Sequence, residues 1–96
     1  HTDSSAASDV YKRQYMGDLM RSISRNTQLI SITHLPQIAS KSKKHIKVYK
    51  EVINSSTRTR IKILNKEERI VEIARLLSGK DISEAAITNA IELLNQ

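Results

Sequence analysis

Apolar and polar positions alternate along the chain with periods that change from segment to segment. Between Tyr15 and Arg25 the apolar residues recur at helical spacing, which predicts an amphipathic helix. The stretch "QLISIT" then places Leu29, Ile30 and Ile32 in a β-favouring run whose two faces are both small or apolar. Such a run is typical of an interior parallel strand covered by helices.

Turn signals divide the middle of the chain. Pro36 can open a short helix, because the first helical position needs no backbone donor, and we place this helix at about residues 36–40. "HIKVYKEV" and "RTRIKIL" have alternating patterns on either side of the turn-forming link "INSST". They predict an antiparallel hairpin with a basic outer face.

Two further helices are predicted after the hairpin. Asn65 and Glu68 have the spacing of a capping box, and Gly79 ends the first of these helices. The second is capped by Asp81 or Ser83, and a short link makes the two helices an antiparallel pair or a bent elbow. The residues expected to face inward are Ile70, Ile73, Ala74, Leu77, Ala86, Ile87, Ala90, Ile91 and Leu94.

Residues 1–14, "HTDSSAASDVYKRQ", differ in character from the rest. They are polar, rich in Ser, Ala and Asp, and show no sustained period. This composition predicts a disordered or non-native, adapter-like tail. Residues 15–96 are then the portion that carries the fold.

Composition excludes several classes of protein. The chain has 96 residues, of which 39% are hydrophobic, as expected of one small domain or a piece of a larger one. It has no cysteine, which excludes a disulfide framework, a zinc–thiolate cluster and a thiol nucleophile. No apolar run approaches the roughly 20 residues of a membrane span. We therefore expect a cytoplasmic protein without membrane contact.

The net charge of +6 is concentrated in residues 41–62, where eight Lys and Arg residues accompany one acid, Glu51. A polyanionic partner would explain this excess, and so would an ordinary solvated face of the hairpin. Both interpretations stay open at this point. If nucleic acid binds here, the contacts are expected from Lys43, Lys44, Lys47, Arg58 and Arg60.

The sequence contains no complete active site. It lacks the phosphate-loop, dinucleotide-binding and zinc-protease motifs, and its only glycines are Gly17 and Gly79. His34 and His45 have no acidic residue or cysteine at ligand spacing, which argues against a metal pair.

His34 is the remaining candidate, since it follows the predicted strand directly. Ligands of open α/β sheets bind beyond the carboxyl ends of the strands. A neutral imidazole there can donate a hydrogen bond to a phosphate oxygen or hold an attacking water. The other interpretation is an ordinary surface histidine.

The order of these features resembles the C-terminal end of the RecN family of bacterial DNA repair proteins. The resemblance covers about residues 15–96 and is most specific in "ITHLPQIA" and "EERIVEIARLLSG". The family consists of ABC-type ATPases related to the structural maintenance of chromosomes proteins. The resemblance implies an α/β fold, namely the C-terminal part of a P-loop ABC-type ATPase head with helix, core strand, β-hairpin and two C-terminal helices.

The resemblance also implies roles for individual residues. His34 would be the switch histidine that contacts the γ-phosphate, with Thr33 and Gln37 as supporting neighbours at the ATP site. The intact parent protein would bind ATP and Mg²⁺ between two heads, act on DNA in recombinational repair of double-strand breaks, and be nucleoid-associated. The phosphate loop, signature motif and Walker B carboxylates are absent here, so this chain alone is expected to be inactive.

Two other functions remain possible from the sequence. One is a small basic nucleic-acid-binding module that uses the Lys/Arg-rich hairpin 41–62. The other is a structural interaction domain built from the two C-terminal helices.

Overall fold

The chain folds into four helices and one β-hairpin. The structure is a computed structural model that describes residues 2–96, with side chains from residue 6 onward. In chain order the elements are α1 (Thr2–Ser24), α2 (Pro36–Ala39), β1 (Ile46–Ile53), β2 (Ser56–Ile63), α3 (Lys66–Ser78) and α4 (Glu84–Leu94). The mixed α/β composition is as predicted from the sequence.

A small core lies where α3, α4 and α2 meet. Ile73 and Ala74 on α3 are fully buried, and so is Ala90 on α4. Alanines at these contacts let the helix backbones approach closely. Leu93 is buried in this core, whereas Ile91, which was expected to face inward, is 41% exposed. The buried face of α4 therefore follows Ala86, Ala90 and Leu93 at i, i+4 and i+7.

The ends of α3 and α4 are fixed as their sequences predict. The Asn65 side chain accepts a hydrogen bond from the Glu68 amide at 2.8 Å, and the Glu68 carboxylate accepts from the Asn65 amide at 3.0 Å. This reciprocal pair is the predicted capping box. Gly79 ends α3 with a φ of +83°, and Ser83 rather than Asp81 caps α4.

The hairpin is confirmed, and its register is continuous. Ile46 pairs with Ile63 at the open end, and Ile53 pairs with Ser56 beside the turn. Asn54 and Ser55 form this turn with φ values of 50° and 65°. Two positive φ values are what a two-residue hairpin turn of type I′ requires, and Asn tolerates them better than most residues.

The orientation of the hairpin differs from the predicted basic outer face. The strand face that carries Lys47, Tyr49 and Lys62 is turned toward α3, where Lys47 and Lys62 pair with glutamates of that helix. The opposite face is open to solvent. Its apolar residues are Ile46, Val48, Val52, Ile61 and Ile63, and Lys50, Thr57 and Thr59 lie among them. These two ion pairs link this face to α3, while every residue of β2 stays exposed.

The first helix is longer than predicted. Residues 2–14 continue α1 instead of forming a disordered tail, while His1 lies outside the described residues. The stretch contains no proline or glycine, so nothing in it interrupts the helix that continues through Tyr15. The division of the chain at residue 15 into a non-native and a native part stays a prediction.

No strand forms at residues 28–33, which is a correction to the sequence analysis. These residues have no regular secondary structure, and Ile30 and Ile32 are 80% and 101% exposed. A strand exists only through hydrogen bonds to a neighbouring strand. Within residues 2–96 the two strands of the hairpin pair with each other, so this segment has no partner.

Candidate functional site

His34 lies in a short turn immediately before α2. Its side chain is exposed, while the backbone on both sides is held in place. The Thr33 hydroxyl accepts a hydrogen bond from the Leu35 amide at 3.0 Å, which spans the histidine. Pro36 follows at the start of α2, where its restricted φ suits the first helical position. The imidazole is therefore presented to solvent from a defined backbone.

Thr33 and Gln37, the predicted neighbours at the nucleotide site, lie in different surroundings. Thr33 is half-buried and bonds locally to Leu35. Gln37 is 8% exposed, and its Oε1 has no hydrogen-bond partner among the described residues. Gln37 helps to line a cavity of about 220 Å³ formed with residues of α1, α3 and α4, and His34 is not part of that lining. Neither Thr33 nor His34 lines the cavity that Gln37 lines.

A close approach of α1 to α2 explains why Gln37 is buried. A Cβ atom on Gly17 would lie 2.8 Å from the Gln37 carbonyl oxygen and 2.9 Å from the Lys41 side chain. Only glycine permits such a short distance between α1 and α2. The close approach also places a carboxylate oxygen of Asp18 2.9 Å from the Lys41 Nζ atom. This hydrogen bond lowers the pKa of Asp18 below its ordinary value.

The five predicted nucleic-acid contacts do not form one continuous cationic surface. Lys47 donates to Glu72 at 2.6 Å, and Arg60 donates to Glu51 at 2.8 Å. Arg58 lies opposite Glu51 in the strand register. Lys43 and Lys44 are exposed in the loop before β1. Two of the five predicted contacts, Lys47 and Arg60, are thus paired with glutamates.

Glu72 connects the hairpin to α3 and is paired twice. Burial alone would raise its pKa, but hydrogen bonding and charge interaction with Lys47 and Arg75 more than offset burial, so the pKa of Glu72 is lowered. Glu68 accepts from the Asn65 backbone and pairs with Lys62, which lowers the pKa of Glu68 as well. Both carboxylates are therefore held ionised against the hairpin.

Two arginines that the sequence analysis did not single out hold the loop after α2. Nη2 of Arg69 donates to the carbonyl oxygens of Ala39 and Ser40, each at 3.2 Å, and to the carbonyl oxygen of Ser42. Nε of Arg21 donates to the Lys41 carbonyl oxygen at 3.1 Å. No motif marks an arginine that binds backbone carbonyls, so sequence periodicity alone could not identify this pair.

His45 lies next to this loop and is half-buried. Its Nδ1 atom has no hydrogen-bond partner in the part of the chain that the structure describes. Burial, reinforced by the positive charge of Arg69, lowers the pKa of His45 below its ordinary value, although Glu72 acts in the opposite direction. His45 therefore remains neutral to lower pH than a solvated histidine.

Residues 2–96 contain no cluster of three or more His, Asp or Glu side chains that could hold a metal ion. Within the same residues, every helix is too short or too polar to span a lipid bilayer.

Comparisons with known proteins converge on one description. No family model matches the chain. The chain is 44% identical over 80 residues to the DNA repair protein RecN of Rickettsia typhi, an alignment that covers 83% of this chain. It is 40% identical over 79 residues to RecN of Vibrio cholerae and 35% identical over 83 residues to RecN of Bacillus subtilis. Each alignment spans only 14% of the relative's length.

Proposed function

Because the chain belongs to the RecN family of DNA repair proteins as a C-terminal segment, we propose that it completes an ABC-type ATPase head. In this proposal His34 is the switch histidine at the nucleotide site of the intact protein. The intact protein would act in recombinational repair of DNA double-strand breaks. The observation that carries the proposal is the exposed imidazole on a defined turn, directly after an apolar segment that lacks a sheet.

The bare segment before His34 supports this role. Ile30 and Ile32 expose their side chains almost completely, which is unfavourable for a finished protein surface. Each is a β-branched residue suited to a buried strand. If residues 28–33 joined a parallel sheet in the rest of the head, both faces would be covered, and His34 would emerge at the carboxyl end of that strand. Nucleotides bind at this end of open α/β sheets.

ATP and Mg²⁺ would be held mainly by residues outside this chain. The chain offers His34, and less directly Thr33, for contact with phosphate oxygens. It has no glycine-rich loop, and residues 2–96 contain no cluster of acidic ligands for a magnesium ion. When bound, ATP would supply the γ-phosphoryl group that is transferred to water.

A histidine at this position can act in two ways. Its N–H can donate to an oxygen of the γ-phosphate, where negative charge is concentrated. Its other nitrogen can accept from the attacking water and so fix the direction of attack. Both tasks need an imidazole placed by the backbone, which the Thr33–Leu35 bond and Pro36 provide here.

The partners in this proposal are the rest of the head, a second head bound across ATP, and DNA contacted by the intact protein. The cell compartment would be the bacterial cytoplasm, in association with the nucleoid. The alternative, a free-standing nucleic-acid-binding module, has less support, because Lys47 and Arg60 are engaged by glutamates. Lys43, Lys44 and Arg58 remain as possible contributors to DNA binding in the whole protein.

The test is ATP turnover by a full-length RecN-family protein that carries this segment. We expect His34→Ala to lower turnover at saturating ATP by about 100-fold, as typical for loss of one donor at a charged transition state. The affinity for ATP should change much less. Asn26→Ala, an exposed position in the turn after α1 and outside residues 28–33, is the matched control and should keep wild-type turnover. Unchanged turnover in His34→Ala would contradict the proposal.

A further inference from the structure

We propose that Arg69 is a positioning residue for His34, and that Arg21 assists it. The two arginines form a clamp on the backbone of residues 39–42, the loop that directly follows α2. The inference rests on the proposed function of His34 and deepens it. It assigns α3, a helix remote from the histidine in sequence, to the nucleotide site.

Arg69 is a backbone-binding residue by its contacts. Its Nη2 atom donates to the carbonyl oxygens of Ala39, Ser40 and Ser42, and it lies 3.1 Å from the Ser42 hydroxyl. The last carbonyls of a helix have no intrahelical partner, and a cation there also suits the helix dipole. A planar guanidinium can reach several converging carbonyls at once, whereas a lysine ammonium offers a single point of charge.

Arg21 and Asp18 hold the same loop from the side of α1. Nε of Arg21 donates to the Lys41 carbonyl, and the Lys41 side chain reaches back to Asp18. Ser40 and Lys41 are 2% and 7% exposed, whereas Ser42 is exposed. The loop is bonded from α1 and from α3, so it cannot shift without breaking several hydrogen bonds.

The clamp reaches His34 through a single helical turn. The amides of Ala39 and Ser40 donate to the carbonyls of Leu35 and Pro36 at 2.9 and 3.0 Å. The Leu35 amide is in turn bonded to the Thr33 hydroxyl, on the other side of the histidine. Movement of the loop is therefore transmitted to the backbone that carries the imidazole.

Backbone placement matters here because the His34 side chain is exposed. An imidazole without supporting side chains is aimed by the backbone alone. Misplacement of a catalytic group by about 1 Å is enough to cost about 100-fold in rate. A partial loosening of the clamp should therefore slow turnover without preventing ATP from binding.

The experiment is a double-mutant cycle in a full-length RecN-family protein that carries this segment. Arg69→Lys keeps the positive charge but removes the planar guanidinium that reaches several carbonyls at once. We expect it to reduce turnover at saturating ATP about tenfold. The Kd for ATP should stay within about twofold of wild type. Combined with His34→Ala, Arg69→Lys should cause no further loss, since the group it positions is already gone. Arg75→Lys, an exposed arginine on the same helix, is the control and should leave turnover unchanged.

The outcomes separate this inference from the proposed function. If His34→Ala leaves turnover unchanged, the proposed function fails, and the positioning role fails with it. If His34→Ala is slow but Arg69→Lys turns over like wild type, only the positioning role is overturned. The same holds if the two losses multiply in the double variant. Should Arg69→Lys not fold, Arg21→Lys enters the cycle in its place, with the same expectations and the same contradicting results.

Discussion

The helical core and the surfaces beside it use similar apolar residues with opposite results. On α3 and α4, Ile73, Ala90 and Leu93 are buried against each other. In the segment before His34 and on the open face of the hairpin, equally apolar side chains face water, with Ile32 and Ile61 101% and 71% exposed. The apolar side chains of the helical core are buried by other residues of this chain, whereas those of the segment before His34 and of the open hairpin face are not.

The difference shows that apolar pattern and burial are separate properties. A helix can bury its stripe against the next helix in the chain, which is a local arrangement. A strand with two apolar faces needs neighbouring strands and covering helices from distant parts of the chain. This chain spans 14% of the length of the relatives it matches. Under the proposed function, the residues that cover the second region would belong to the rest of such a protein.

The largest predicted effect contrasts one isoleucine from each region. Ile73→Ala should lower the free energy of unfolding of the 96-residue chain by about 2–5 kcal/mol, because it leaves a cavity in the only buried cluster of the described residues. Ile61→Ala removes the same atoms from an exposed strand face, where Ile61 is paired with Val48 across the hairpin. Its cost should stay below about 1 kcal/mol.

Urea unfolding of the two variants provides the measurement. Equal losses would mean that the hairpin face is already buried in the isolated chain, for instance by self-association. The comparison between the two regions would then not hold. Sedimentation of the Ile61→Ala variant at the same concentration would identify that case.

A smaller effect is expected in the pH dependence of stability. The pKa of His45 in the folded chain lies below its ordinary value of 6.5, because burial and Arg69 disfavour the imidazolium. Above pH 6.5, His45 is neutral in both the folded and the unfolded chain, so its contribution to stability does not change with pH. As the pH falls below about 6.5, the unfolded state takes up the proton first, so stability falls.

His45→Gln should flatten this slope between pH 6.5 and the range below pH 5 in which Glu68 and Glu72 begin to protonate. Their pKa values are lowered, so stability from these carboxylates is lost only as the pH falls further. Thermal unfolding of both proteins in steps of pH measures the difference. An unchanged slope in His45→Gln would show that His45 is solvated in the folded chain.

Local signals made much of the fold predictable. The capping box at Asn65, the stop at Gly79 and the Asn54–Ser55 turn each depend on residues a few positions apart. The sequence could not indicate which hairpin face would be turned toward α3, since the ion pairs involve Glu68 and Glu72 of that helix. It also could not reveal Arg69, whose partners are backbone carbonyls about 30 residues away.

The candidate site was predictable only in part. His34 was identified from its place after an apolar run, and in the structure its side chain is exposed just before α2. Its role stays a prediction, as do those of Thr33 and Gln37. The prediction of a strand before His34 was wrong for this chain. Periodicity shows that residues suit a sheet, but it does not show that the other strands of that sheet are present.

The most direct test of the account is hydrogen exchange at the amides of Leu29, Ile30 and Ile32. In the 96-residue chain these residues have no regular structure, so their amides should exchange at nearly the rate of an unfolded peptide. In a full-length RecN-family protein carrying the same segment, a sheet should protect them by several orders of magnitude. Fast exchange in both proteins would contradict the claim that this segment is completed by the rest of an ATPase head.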